Sequence, residues 1–284
     1  MATRPWERLS ALAPSVVCVL CFVTPRLLLA QKASVAVQPV PREVVGQRLQ
    51  RLHLGNAERE RELKMMFGEA GCEGDHVQEQ VVTRSDPPNV ICTLPGATNS
   101  LIIVGAHSDH VERGEGAVDD WSGASLLPSL FEALKETPRK HTLVFVGFTD
   151  EEEGLVGSFF FVKHFPQDQL SSIKAMVNLE CLGVGSTEVW AHMAYQKLLR
   201  ALFATAQSMR VSLSAVNVED VGNDDTQAFR DKGLPVITLH SLTQETWPIL
   251  HSVRDNRAAI RQDHLYESYL VVAEYLAFID QALD

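Results

Sequence analysis

Short apolar runs alternate with longer amphipathic stretches through most of the chain. Four apolar runs read as strands: 100–110 ("SLIIVGAHSDH"), 141–148 ("HTLVFVGF"), 173–180 ("IKAMVNLE") and 234–240 ("LPVITLH"). Two weaker strand signals, 76–83 and 90–94, flank the turn residues "SDPPN". Apolar spacing near 3.6 predicts helices over 43–70, ending near Gly71 with a break at 54–56, and over 155–164, 195–209, 226–232 and 258–282. A further helix is predicted over 122–136, where Pro128 falls near the start and is tolerated. Strands alternating with helices imply a three-layer α/β/α fold around a mixed, mostly parallel sheet covered on both faces.

Composition narrows the function. A length of 284 residues, 45% hydrophobic and 21% charged, suits one sizeable globular domain or two small ones. The net charge of −11 argues against nucleic acid, which calls for clustered Lys and Arg. The first 30 residues stand apart: Arg4 and Arg8 precede the apolar stretch 15–23, and small residues at Ala30 or Ala36 offer cleavage points. This reads as an export signal, with an uncleaved membrane anchor as the alternative, and it predicts a secreted or periplasmic protein. The segment carries a net +2 (Arg4, Arg8 and Arg26 against Glu7), so the remainder carries −13. The expected organisation is therefore a leader over 1–30, a linker over 31–42 and a single catalytic domain over 43–284. Outside the leader stand Cys72, Cys92 and Cys181, with no C-x-x-C pair among them. In an exported protein Cys72 and Cys92 could bridge neighbouring strands, and Cys181 reads as a small buried hydrophobe.

Parallel sheets bind ligands beyond the carboxyl ends of their strands. Three predicted strand ends carry metal-ligand types: His107 with Asp109, the run "DEEE" at 150–153, and Glu180. Each has an ordinary explanation alone. A histidine at a strand end is often structural, Asp119-Asp120 before a helix could cap it, and acids favour a helix N-terminus. Together they differ, because ionised carboxylates resist burial unless a cation neutralises them. Two divalent ions roughly 3.5–4 Å apart need one shared carboxylate plus a histidine and a carboxylate each. His107, Asp119, Glu152, Glu180 and His251 supply that set. Three carboxylates against two dications leave about one positive charge for an activated water.

The motifs "GAHSDH", "GAVDDWSG", "DEEEGLVGS", "NLECLG", "NDDTQAFRDKGLP" and "LHSVRDN" occur in that order and resemble those of metallopeptidase family 28 of clan MH, over residues 43–282. The resemblance implies a zinc exopeptidase fold with two Zn²⁺ per chain, acting on a peptide or small amide substrate. It implies one zinc on His107 and Glu180, the other on Glu152 and His251, with Asp119 between them. Glu151 matches the general base, and Asp109 would fix the His107 ring through a hydrogen bond. Asp120 would shape the turn that presents Asp119, leaving Asp150 and Glu153 as solvated or capping residues.

Two positions depart from the pattern. Glu180 stands where the aminopeptidases usually carry Asp, which puts full occupancy of that metal position in doubt. Trp121 replaces a small residue and either lines the cleft or packs beside the turn. A glutaminyl cyclase-like transferase with one zinc on Asp119, Glu152 and His251 is the main alternative, with Trp247 and Asp225 in its favour. A non-catalytic binding domain and a carboxypeptidase or other amidohydrolase are the remaining ones.

Overall fold

The apolar runs lie side by side, because each exposes aliphatic side chains on both faces and must be covered twice. In the computed structural model, which describes residues 37–83, 87–216 and 222–284, eight strands form one sheet. In chain order they are β1 (Val77–Gln80), β2 (Asn89–Leu94), β3 (Leu101–His107), β4 (Thr142–Phe148), β5 (Ile173–Leu179), β6 (Glu188–Val189), β7 (Ser214–Ala215) and β8 (Val236–His240). Their order across the sheet is β1-β2-β4-β3-β5-β8-β6-β7. The central four, β4, β3, β5 and β8, are mutually parallel. β1 and β2 extend one edge antiparallel, and β6 pairs antiparallel with β8 at the other.

Alternation along the strands sends side chains to two cores. Ile102 and Val104 of β3 join one cluster, with residues of α1 (Arg42–Gln50), α2 (Asn56–Ala70), α3 (Ser122–Ala124) and α4 (Leu127–Leu134). Ile103 faces the other way, toward α5 (Val156–His164). The first cluster also takes in α6 (Gln196–Met209), and α7 (Thr226–Arg230) belongs to the second. The first is completed by α8 (Gln262–Ala282), whose Tyr275 and Leu276 are fully buried. The expected three-layer α/β/α arrangement is the observed one.

Differences from the sequence reading lie at element ends and in two short strands that it did not predict. The stretch 43–70 is two helices, divided near the expected break. The helix expected over 122–136 is interrupted into α3 and α4, with Pro128 in the first turn of α4, where its missing N–H costs nothing. β1 covers only four of the residues 76–83, and β6 and β7 are two residues each, too short to show a period. Before α8, residues Arg257–Ala259 form a separate short turn capped by the Asn256 side chain.

Cys72 and Cys92 form a disulfide. It ties the end of α2 to β2 rather than strand to strand, since Cys72 directly follows Gly71, the left-handed cap of α2. The predicted leader, residues 1–30, lies outside the described residues. Among the described residues no helix is long and apolar enough to cross a membrane.

Candidate metal centre

Because β3, β4 and β5 are parallel, their carboxyl ends share one edge, and the loaded strand ends meet there. β3 ends on His107, with Ser108 and Asp109 following. β4 ends on Phe148, and Asp150, at φ +52°, turns the chain so that Glu151 and Glu152 follow. Gly154 takes φ +103°, a conformation that suits glycine, before α5 begins. β5 ends on Leu179, so Glu180 is the first residue past it. Asp119 and Asp120, joined by a cis peptide, sit in the irregular turn Ala117–Trp121. His251, at φ +51°, comes from the long loop after β8. Asp119, Glu151, Glu152, Glu180 and His251 line one cavity of about 350 Å³.

The five residues expected to hold metal converge. His107 Nε2 lies 3.0 Å from Asp119 Oδ1 and 3.5 Å from Glu180 Oε1. His251 Nε2 lies 3.3 Å from Asp119 Oδ2 and 3.0 Å from Glu152 Oε2. Asp119 thus turns one oxygen to each histidine. Donors about 2.0–2.1 Å from a tetrahedral zinc stand about 3.3 Å from one another, so these spacings fit zinc. The second oxygen of Glu152, Oε1, is buried without a hydrogen-bond partner, as an atom awaiting a cation would be.

Around these side chains, others fix their positions. Asp109 accepts hydrogen bonds from the backbone N–H groups of Glu151 (3.1 Å) and Glu152 (3.2 Å), and lies 3.4 Å from His107 Nδ1. It therefore links two strand ends and orients the His107 ring. Asp120 Oδ1 accepts from the N–H of Gly123 (3.1 Å) and of Cys181 (2.9 Å), tying the turn to the end of β5. Two positioning groups escaped the sequence reading. The Asp255 carboxylate accepts from Val118 N–H (2.7 Å) and Asp119 N–H (3.4 Å), so the "VRDN" motif serves the turn that carries Asp119. Arg59, fully buried on α2, donates to the carbonyls of Gly116 and Glu115. Its only sequence signal was a charged residue on the buried face of a helix.

The electrostatics register a shortage of positive charge. Burial pushes Glu151 up to about 10, with Glu180, Asp225 and Asp119 adding to it. Burial likewise pushes Asp225 to about 8. Hydrogen bonds to Asp119 and Glu152 raise His251 to about 10. Burial alone would lower His107, but Glu151, Asp109, Asp119 and Glu180 raise it well above its ordinary value. Without a cation, protons crowd into the cluster; with one, the same field is a metal site. Burial lowers Arg59 to about 10 even though four nearby aspartates favour its charge.

The structure settles three further positions. Trp121 does not line the cavity: it is fully buried, donates to Leu49 O (3.1 Å) and lies under the Arg59 guanidinium. Asp150 is buried rather than solvated, because the turn folds it under the strand end, whereas Glu153 is exposed as expected. Trp247, although four residues from His251, does line the cavity, together with Trp190.

Comparison with known proteins gives these geometries a context. The sequence model of peptidase family M28 matches residues 89–276. A probable leucine aminopeptidase 2 of Trichophyton verrucosum is 35% identical over 96 residues, covering 34% of this chain and 19% of its own length. The chain thus spans about a fifth of that relative. Among solved structures, a zinc aminopeptidase from Bacillus subtilis aligns with a TM-score of 0.62 at 22% identity, over 70% of this chain and 50% of its own. A glutaminyl cyclase from an Acidobacteriales bacterium aligns with a TM-score of 0.69 at 20% identity, over 89% and 99% respectively. At these identities the two structures speak for the fold alone.

Proposed function

The chain belongs to peptidase family M28, and from that membership we propose that it is a zinc-dependent aminopeptidase. One observation carries the reading: Asp119 directs separate oxygens at His107 and His251, 3.0 and 3.3 Å away, the arrangement that a carboxylate shared by two cations would need. His107 and Glu180 would hold one Zn²⁺, Glu152 and His251 the other, and Asp119 both. When bound, zinc supplies Lewis acidity toward a carbonyl oxygen and acidifies water. The rest falls to the protein. Glu151 is half-buried and lines the same cavity as Asp119, Glu152, Glu180 and His251. Its carboxylate would take the proton of the attacking water and return it to the leaving amine. Asp109 would hold both the Glu151 backbone and the His107 ring in register for that transfer. The substrate is a peptide or small amide with a free N-terminus, and export through residues 1–30 would deliver the enzyme to it. N-terminal sequencing of the protein recovered from the medium or periplasm tests the last point.

The test of activity is release of N-terminal residues from a panel of aminoacyl amides, abolished by chelation and restored by zinc. Asp119→Ala is expected to lose both metal and turnover. A second reading has its own support: the fold matches a glutaminyl cyclase over almost the whole of that protein, and Trp247 lines the cavity. One zinc per chain and turnover of N-terminal glutaminyl peptides without hydrolysis of other amides would favour the cyclase over the peptidase.

A further inference from the structure

α5 ("VGSFFFVKH") is apolar over most of its circumference, although a helix covering one core needs only a single apolar stripe. Phe161 and Val162 fill the second core cluster, whereas Phe159 is 40% exposed. Val156, Phe159, Phe160 and Lys163 recur at helical spacing and line a second cavity, of about 570 Å³, which Val82 past β1 and Lys232 past α7 also border. Gly154, between Glu152 and α5, lines this groove and the cavity of the metal centre alike. A Cβ placed on Gly154 would meet no heavy atom within 4 Å among the described residues, so no side chain walls one space off from the other at this point. The groove also differs from the rest of the molecule in charge. In a chain of net −11 it presents two exposed ammonium groups, Lys163 and Lys232, while its acid, Asp231, accepts a hydrogen bond from Gln227 Nε2.

We propose that this groove holds the part of a peptide substrate downstream of the scissile bond, with apolar side chains against Phe159 and Phe160 and a carboxylate at its far end on Lys163 and Lys232. The proposal rests on the aminopeptidase reading above and deepens it, because it names the substrate class: acidic-ended peptides of about five residues rather than single aminoacyl amides. An enzyme that removes N-terminal residues holds one residue at the metals, so the remainder of the peptide has to leave the cavity. Gly154, two residues past Glu152, gives it an open way out. From Val156 to Lys163 the helix rises about 10 Å, which an extended peptide spans in about three residues. A carboxylate on the fourth residue beyond the scissile bond therefore reaches the two lysines, and side chains on the residues before it lie along the phenylalanines. Covering Phe159 removes apolar surface of both partners from water, and the lysines set the sign of the charge that the far end accepts.

The test compares leucine amide with two amidated pentapeptides, Leu-Ala-Phe-Ala-Glu and Leu-Ala-Phe-Ala-Lys, on the full chain loaded with zinc. The glutamate peptide should show a KM about tenfold below that of leucine amide and about fivefold below that of the lysine peptide. The Lys163→Glu/Lys232→Glu double variant should reverse the order of the two peptides and leave leucine amide unchanged. Phe159→Ala should raise KM for both peptides about tenfold, again without effect on leucine amide. Equal KM for all three substrates, or variants that move leucine amide as much as the peptides, overturns the groove and leaves the aminopeptidase reading standing. If none of the three is hydrolysed, that reading fails and calorimetric titration with the glutamate peptide decides the groove. Binding that the double lysine variant weakens about fivefold supports it, and binding that is absent or indifferent to the variant overturns it.

Discussion

Glu151 and Glu152 are neighbours in the chain with different work to do. Glu152 Oε2 meets His251 at 3.0 Å, whereas in the proposed reading the Glu151 carboxylate handles protons. Replacing Glu151 by Gln removes the base but keeps the shape. The expected outcome is a loss of about 10²–10⁴ in kcat with zinc content unchanged by metal analysis. Asp255 acts one step further out, through the N–H groups of Val118 and Asp119. Asp255→Asn keeps one acceptor oxygen but loses the charge, and should weaken zinc affinity about 10–100-fold in a competitive chelator titration. Glu151 was legible in the sequence because an ordered motif surrounds it. Asp255 was visible only as part of a motif, and its partners, more than 130 residues away, were not. A local pattern cannot name what a residue touches across the fold.

Among the elements, the approach of α3 to the end of β5 deserves a direct test. A Cβ on Gly123 would stand 2.6 and 2.8 Å from the two Asp120 oxygens and 2.9 Å from Leu179 O. Gly123→Ala should therefore displace Asp120, lower zinc occupancy and spare the circular dichroism spectrum. The disulfide works at the same scale. Closing a loop with a sequence separation of 20 between Cys72 and Cys92 removes unfolded-state entropy worth about 3 kcal/mol. Reduction or Cys92→Ser should lower denaturant stability by about that much while leaving zinc bound, since the bond joins α2 to β2 away from the acidic cluster. The central strands were readable because long apolar runs specify them. The interruption between α3 and α4 and the two-residue strands β6 and β7 were not, because their limits follow from packing rather than from any period.

For the molecule as a whole, the proposed centre is a set of acids that zinc would hold together. Stripping the metal should lower the melting temperature, and returning zinc at a hundred times its Kd should restore about 2.7 kcal/mol, read by calorimetry. A melting temperature indifferent to chelation would mean that the acids are neutralised in some other way. The sequence by itself determined the layered α/β architecture, the strand ends that carry the chemistry and the family to which the chain belongs. These follow from hydrophobic period and local motifs, which neighbouring residues are enough to specify. Only the tertiary structure decided that Asp119 points one oxygen at each histidine, that Asp109 spans two strand ends and that Trp121 packs inward. Those facts depend on how segments far apart in sequence are brought to one sheet edge and oriented there, and distance along a chain carries no record of direction in space.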